Sequence, residues 1–141
     1  MKNCEEVILV ACVSKKLNYP AEAQDIYIST LFKKIRKYID LNPKAWCILS
    51  AKHGLLPTDT VIEPYNKTLN TMSVADRKNW AHAVTTDINT KLPNLQKVTF
   101  FAGVKYREFL EPNLIERKVE INVPLYGMRI GQQLQWLSQR T

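Results

Sequence analysis

Glycine, histidine and cysteine are scarce in this sequence: four, two and three residues in 141. It contains neither the G-x-x-x-x-G-K-[ST] phosphate loop nor a G-x-G-x-x-G segment after a strand, which argues against ATPases and dinucleotide-dependent enzymes. The cysteines are odd in number and lack C-x-x-C spacing, so we interpret them as reduced thiols in the core rather than disulfides or zinc ligands. We expect neither a metal nor a cofactor.

Long apolar runs are also absent. No segment approaches the roughly 18 residues that a membrane-spanning helix needs. The N-terminus lacks the basic and then apolar pattern of a secretory signal. The sequence therefore predicts a cytoplasmic protein without a membrane partner.

What the sequence does have is an excess of positive charge on an ordinary globular composition. Hydrophobic residues make up 45%, and 20 Lys+Arg against 13 Asp+Glu give a net charge of +7. The length suits a single domain, residues 1–141. The charge favours polyanionic partners such as DNA, RNA or nucleotides, although a basic surface also serves solubility alone.

Short apolar runs alternate with amphipathic helical patterns along the chain. The predicted strands cover residues 7–12, 45–49, 98–102 and 119–123. The predicted helices cover about residues 28–39, 73–92, 104–110 (ending near Pro112) and 129–139. A long loop is expected over residues 50–72. This alternation predicts a three-layer α/β sandwich around a mainly parallel, four-stranded sheet.

In such a sheet, ligands bind beyond the carboxyl ends of the strands. Polar segments follow all four predicted strands, and the long loop is placed to fold over the same edge. We therefore expect cations, hydroxyls and aromatic rings to converge there. The candidate site residues are Ser14, Lys15, Lys16, Tyr27, Ser29, Ser50, Lys52, His53, Glu63, Tyr65, Asn66, Tyr106, Arg107 and Arg129.

The lysines after the first strand have three alternative roles. Lys15 and Lys16 bind phosphate as point charges, act as amine nucleophiles if neighbouring cations lower their pKa, or lie on the surface. His53 has an ordinary pKa that suits proton transfer, but a hydrogen bond within its turn explains it equally well. With Glu63, these residues are the candidate catalytic groups.

The aromatic and hydroxyl residues also have two interpretations each. Tyr27 and Ser29 favour an anion at a helix N-terminus, or are a packing aromatic and an N-cap. The segment 63–66 orients a water or holds a base edge, or is a loop anchored by a buried Tyr65. The structure must decide between these alternatives.

The segment Ser50-Ala51-Lys52-His53-Gly54-Leu55 is the most specific motif in the chain. Together with it, other stretches resemble a family of small, uncharacterised bacterial and phage domains that is distantly similar to the YaaA peroxide-stress proteins. The resemblance covers nearly the whole chain. Those other stretches are residues 11–17, 20–23, 25–32, 48–49, 62–65, 68–69, 106–107 and 130–134.

The YaaA proteins and a catalytic domain of archaeosine synthase in turn resemble the uracil-DNA glycosylase type of α/β fold. They carry a lysine shortly after the first strand. The C-x-x-K pattern of the archaeosine enzyme is matched by residues 12–15, whereas the C-x-x-x-K spacing of the nearer family selects Lys16. This resemblance implies a uracil-DNA-glycosylase-like fold with a functional lysine at one of these two positions. The helix-hairpin-helix insertion of the YaaA proteins is missing, so the domain itself would contact DNA.

The leading hypothesis is a nucleic-acid-acting enzyme of the DNA glycosylase type, acting in DNA repair, base modification or phage defence. DNA is favoured over RNA. A flipped base would enter the crevice at the strand ends and stack on Tyr65 or Tyr106. Phosphates would be held by Lys52, Arg107 and Arg129.

The lysine would take one of two parts in the reaction. Lys16 or Lys15 would attack the sugar C1′, giving lyase activity through a Schiff base, or would stabilise charge while Glu63 or His53 directs a water. Two other functions stay open. They are a non-catalytic nucleic-acid-binding module and an enzyme for a free nucleotide or phosphoribosyl compound.

Overall fold

The computed structural model describes residues 3–11 and 15–141, so Cys12 and Ser14 lie outside the described residues. The strands are β1 (Glu6–Val10), β2 (Ala21–Glu22), β3 (Trp46–Ser50), β4 (Gly54–Leu56), β5 (Val61–Ile62), β6 (Lys97–Phe101) and β7 (Glu120–Asn122). The helices are α1 (Ala23–Ile26), α2 (Thr30–Leu41), α3 (Val74–Lys91), α4 (Val104–Arg107), α5 (Glu111–Glu116) and α6 (Ile130–Gln139), and a 3-10 turn covers Leu69–Thr71.

The main sheet has five strands in the order β4-β3-β1-β6-β7. β1 pairs in parallel with β3 and β6, and β6 pairs in parallel with β7. The mainly parallel sheet and its four predicted strands are confirmed. The predicted number of strands was wrong because β4 adds an antiparallel edge strand next to β3. Its three residues lie in the segment predicted as a loop and are too few to show a periodicity.

Both faces of the sheet are covered by helices, as predicted. Alternate residues of β1 enter two separate cores: Val7 and Leu9 pack on the side of α3, α4 and α5, and Ile8 and Val10 pack on the side of α1, α2 and α6. All four are at most 3% exposed. A strand buried on both faces has no polar alternation, which explains the continuous apolar run.

The helix starts follow local chemistry. The Oγ of Ser29 accepts the Phe32 N–H at 3.2 Å and begins α2, and the Oγ of Ser73 accepts the Asp76 N–H at 3.1 Å and begins α3. Pro112 was expected to end a helix. Instead it lies in the first turn of α5, where its missing N–H costs no hydrogen bond.

The strand order reverses between β1 and β6. From β1 the chain crosses by α2 to β3 on one side of the sheet centre, whereas β6 lies on the other side and leads to β7. In open α/β sheets such a reversal leaves a crevice at the carboxyl ends of the two strands. Ala11 and residues 102–107 lie at this edge. None of the helices in the described residues is both long enough and apolar enough to span a bilayer.

Candidate functional site

Lys16 is held in place next to two tyrosine rings. Lys16 forms an antiparallel β-bridge with Tyr27, and backbone hydrogen bonds of 2.9 Å join residues 15–17 to residues 26–28. The Nζ atom of Lys16 lies 4.5 Å from the centre of the Tyr65 ring and 5.6 Å from that of Tyr27. Because an aromatic face attracts a cation, the two rings help to hold the Lys16 ammonium group at this position.

The Tyr65 ring is fixed by its hydroxyl group. That hydroxyl shares a hydrogen bond of 2.6 Å with the hydroxyl of Tyr27 and accepts one of 2.9 Å from the Oγ of Ser50. Ser50 and Tyr27 are 0% and 2% exposed. Both were predicted to bind substrate; in the structure they are buried and position Tyr65, and a contact with substrate stays a prediction. For Tyr27, the packing alternative is the one the structure has.

His53 lies beside the same ring, at the turn between β3 and β4. Its backbone N–H donates to the Oγ of Ser50 at 3.0 Å, and its ring meets Tyr65 edge-on with centres 5.6 Å apart. The turn is tight because Gly54 has a φ of +68°, which L side chains rarely adopt. Partial desolvation, followed by the charge of Lys52, lowers the pKa of His53, so its imidazole is neutral at pH 7 and able to accept a proton.

An open groove of about 490 Å³ runs past Tyr65. Its walls are residues 15–18 on one side and residues 64–66 on the other, so Lys15, Lys16 and Asn66 line it. Glu63 is exposed and lies just outside this wall. The structure thus brings the two lysines and His53 near Tyr65; the lysines line the groove, whereas His53 contacts the Tyr65 ring and does not line it. Glu63 is left out of this cluster.

The two edges of the sheet differ in electrostatics. At the amino ends of the strands, Lys44 and Lys97 are paired with Glu6, and Lys97 also lies 3.5 Å from Glu120. At the carboxyl ends, Lys15 and Lys52 are exposed and form no ion pair within the described part of the chain. Lys15 and Lys52 are therefore available to a polyanion at the carboxyl edge.

Two further candidates are structural. Tyr106 is 4% exposed and meets Trp80 edge-on with ring centres 5.7 Å apart, so it offers no surface on which a base stacks. Ser29 is the N-cap of α2, which is its structural alternative. Their burial favours the structural interpretation for both, and a contact with a ligand stays a prediction.

The two arginines have different environments. Arg107 is 9% exposed, its Nε donates to the Ala102 carbonyl at 2.9 Å and its Nη1 to Glu111 at 2.6 Å. Its charge is thus compensated inside the protein, which makes it a poor phosphate contact. Arg129 is exposed immediately before α6.

A second cavity, of about 220 Å³, lies at the carboxyl ends of β1, β6 and β7. Arg107 lines it, but sequence reasoning missed Tyr126 and Gln133. Their signal was positional, since Tyr126 follows the last strand and Gln133 lies in the first turn of the helix after it. Residues that line the cavity include Leu31, Phe101, Gly103, Arg107, Tyr126 and Gln133.

The described thiols are free. Cys4 donates to the Glu6 carbonyl at 3.0 Å, and burial raises the pKa of Cys47 to about 11. Within residues 3–11 and 15–141, no group of three His, Cys, Asp or Glu side chains is arranged to hold a metal ion.

Comparison with known proteins places this geometry in a family. The model of a family of unknown function, DUF6884, matches residues 7–139, and the chain belongs to that family. The chain is also 27% identical over 148 aligned positions to the uncharacterized protein YfjM of Bacillus subtilis (strain 168), an alignment that covers 96% of this chain and 94% of the relative.

Proposed function

We propose that this member of a family of unknown function is a nucleic-acid-acting enzyme of the DNA glycosylase type, which excises a modified or damaged base at the groove beside Lys16. One observation carries the proposal: the ammonium group of Lys16 and the neutral imidazole of His53 both lie against the aromatic ring of Tyr65, at the carboxyl edge of the sheet. The resemblance to the uracil-DNA glycosylase type of fold supports it, as does the mainly parallel sheet whose central strand precedes the lysines.

The groove suits an extruded nucleotide. Lys15 is an exposed cation in the groove wall, and exposed Lys52 precedes His53, whose ring contacts Tyr65, so both suit the phosphates flanking the nucleotide. Asn66 supplies an amide to the groove wall. Because the groove is open, the sugar–phosphate backbone can pass through it while the base leaves the stack.

The chemistry follows from the charge states of the two groups. Neutral His53 accepts a proton from a water, and the water oxygen forms a bond to C1′ as the bond from C1′ to the base nitrogen breaks. The electron pair leaves with the base, and the Lys16 ammonium stabilises the negative charge. The base anion then takes up a proton from the imidazolium of His53. One water is consumed, and the products are the free base and a sugar hydroxyl.

An electrostatic role for Lys16 is favoured over nucleophilic attack. A nucleophile must be a neutral amine, but the faces of Tyr65 and Tyr27 stabilise the ammonium form. The electrostatic role predicts that Lys16→Arg keeps part of the activity and that borohydride traps no adduct. The nucleophilic role predicts that Lys16→Arg is inactive and that an adduct is trapped.

Base release from oligonucleotides tests the proposal. Single- and double-stranded DNA, each with one uracil, hypoxanthine, 8-oxoguanine or 3-methyladenine, is incubated with the protein, and free base is measured by mass spectrometry. We expect release of at least one base, reduced about 100-fold or more in Lys16→Ala and His53→Asn. Lys91→Ala is the control, because Lys91 is exposed at the end of α3, before the opposite edge of the sheet. No release from any substrate contradicts the proposal.

A non-catalytic binding module is the second candidate, favoured by the unpaired exposed cations at this edge. It predicts binding to DNA that weakens steeply with salt, no release of base, and equal binding by wild type and His53→Asn. Measuring release and binding on the same oligonucleotides separates the two functions.

A further inference from the structure

We infer that the cavity at the carboxyl ends of β1, β6 and β7 binds a heteroaromatic base that carries a lactam edge, a ring carbonyl next to a ring N–H. This inference extends the proposed function by assigning a separate pocket and a chemical class to the base. It concerns the cavity of Arg107, Tyr126 and Gln133, which lies beside the groove of Lys16 and shares no lining residue with it.

The volume of the cavity limits the ligand. Pockets for drug-sized ligands measure roughly 300–1,000 Å³. At about 220 Å³, this cavity accommodates one small ring system rather than a whole nucleotide. Its position where the strand order reverses is the usual place for a ligand in an open α/β sheet.

The walls are apolar, with a polar pair among them. Leu31, Phe101 and Leu125 contribute apolar walls. The hydrogen bonds of the Arg107 guanidinium within the described residues use Nε and Nη1, so the N–H groups of Nη2 stay available as donors. Gln133 donates from Nε2 to the Met128 carbonyl at 3.0 Å, which leaves its Oε1 as an acceptor.

The polar pair selects a ligand edge with one acceptor and one donor. A ring carbonyl accepts from Arg107, and the adjacent ring N–H donates to Gln133. The ion pair of Arg107 with Glu111 cancels the charge of the guanidinium, which suits a neutral base better than a phosphate. Uracil, hypoxanthine and guanine have such an edge, whereas adenine and cytosine present an amino group beside an unprotonated ring nitrogen.

The mouth of the cavity adds a stacking surface. Tyr126 is 75% exposed, and its ring centre lies 6.0 Å from the guanidinium carbon of Arg107. Gly127 follows it with a φ of +74°, which turns the chain sharply there. An exposed tyrosine on the rim covers the face of a bound ring at low entropic cost, because its side chain has two torsions.

The cavity and the groove lie close enough to hold one nucleotide. Ala11 lines the cavity and Lys15 lines the groove, and four residues of chain span at most about 14 Å. The sugar and phosphate of a base bound in the cavity are therefore within reach of the groove. The same base supplied free, without sugar or phosphate, makes the same contacts in the cavity.

Binding of free bases by titration calorimetry tests the inference. 1-Methyluracil, 9-methylhypoxanthine and 9-methylguanine are compared with 1-methylcytosine and 9-methyladenine, because a methyl group at the nitrogen that bears the sugar removes the N1–H that free cytosine carries beside its C2 carbonyl. Oligonucleotides that carry uracil or hypoxanthine serve as competitors. We expect the lactam bases to bind at least about tenfold tighter, with a loss of about tenfold in Gln133→Leu and a similar loss in Tyr126→Ala. Gln135→Leu on the same helix and exposed Tyr19→Ala are matched controls, since neither residue lines the cavity.

The outcomes separate the inference from the proposed function. Equal binding of all five bases, or binding unchanged in Gln133→Leu and Tyr126→Ala, overturns the inference even if base release occurs. Preferential binding of lactam bases supports it even if no base is released. Competition by the oligonucleotide identifies a base flipped from nucleic acid as the source, and its absence identifies a free base.

Discussion

The hydroxyl groups of Tyr27 and Tyr65 lie 2.6 Å apart, although 38 residues separate them in the chain. Tyr27 immediately precedes the N-cap region of α2, and Tyr65 belongs to the loop after β5. Their hydrogen bond attaches this loop to the packed interior, with Ser50 at the end of β3 as a third member. The position of the ring beside Lys16 therefore depends on a buried contact and not on the local sequence of the loop.

Removal of the Tyr65 hydroxyl is expected to destabilise the protein. In Tyr65→Phe the fully buried Oγ of Ser50 loses its acceptor, which costs about 1–3 kcal/mol in the free energy of unfolding. Urea denaturation measures this change. Tyr126→Phe removes a hydroxyl from an exposed ring and is expected to leave the stability unchanged. Equal stability of Tyr65→Phe and wild type would show that the hydrogen bonds of the Tyr65 hydroxyl with Tyr27 and Ser50 do not stabilise the protein.

The pH dependence of base release is expected to report His53. Because its pKa is lowered from 6.5, a base of this kind gives a rate that rises with pH, with the midpoint of the rise below pH 6.5, and then levels off. Rates measured from about pH 5 to about pH 8 test this. The rising limb is expected to be missing in His53→Asn. Retention of the same limb in this variant would assign it to another group.

The lowered pKa of His53 also makes the free energy of unfolding depend on pH. The folded protein binds a proton at His53 less readily than the unfolded chain does. The contribution of neutral His53 to stability is therefore complete above pH 6.5 and is lost as the pH drops from 6.5 through the lowered pKa. The change is small because the side chain is mostly exposed. Urea midpoints across this range, compared with those of His53→Asn, measure it. A midpoint that rises on acidification in this window would contradict the assigned direction.

The ion pair of Arg107 is expected to contribute more to the free energy of unfolding than an equally short pair at the surface. Glu111→Gln leaves the guanidinium, which is 10% exposed, without its charge partner, and we expect a loss of about 1–3 kcal/mol. Asp25→Asn breaks the pair with Arg36, also 2.6 Å long but 34% and 52% exposed, and costs less than about 1 kcal/mol. Urea denaturation of both variants compares them. A reversed order would contradict the role of burial.

Salt dependence is expected to identify the cations that face nucleic acid. Each phosphate contact contributes about 0.7–0.9 to the slope of log K against log salt, so Lys15→Ala and Lys52→Ala should each lower the slope by about that amount. Lys91→Ala should leave the slope unchanged, because Lys91 ends α3 near the opposite edge of the sheet. Fluorescence anisotropy with a labelled oligonucleotide measures the slopes. Equal slopes in all three variants would show that nucleic acid does not contact Lys15 and Lys52 at the groove edge.

Cys47 is expected to resist alkylation in the folded state. Its thiol is 3% exposed and burial raises its pKa to about 11, so almost no reactive thiolate is present near pH 8. Mass spectrometry of peptides after treatment with iodoacetamide, without and with urea, resolves this thiol from Cys4. We expect Cys47 to be labelled only with urea. Rapid labelling in native buffer would contradict its burial.

Much of the architecture was predictable because it depends on local patterns. Strands buried on both faces are continuous apolar runs, and the caps Ser29 and Ser73 are side chains that satisfy backbone groups a few residues away. The antiparallel strand β4 was missed because its register with β3 depends on the turn at Gly54 and on packing rather than on a repeating pattern.

The sequence by itself determined the α/β class, the four main strands, the basic charge and the edge of the sheet at which a ligand is expected, since each follows from periodicity, composition or the parallel order of strands. Only the tertiary structure decided which polar residues face that edge. Burial turned Tyr27, Ser50 and Tyr106 into supports, and an ion pair neutralised Arg107. Folding also brought Gln133 and Tyr126 to a cavity, because contacts between distant segments and access to solvent are properties of the packed chain.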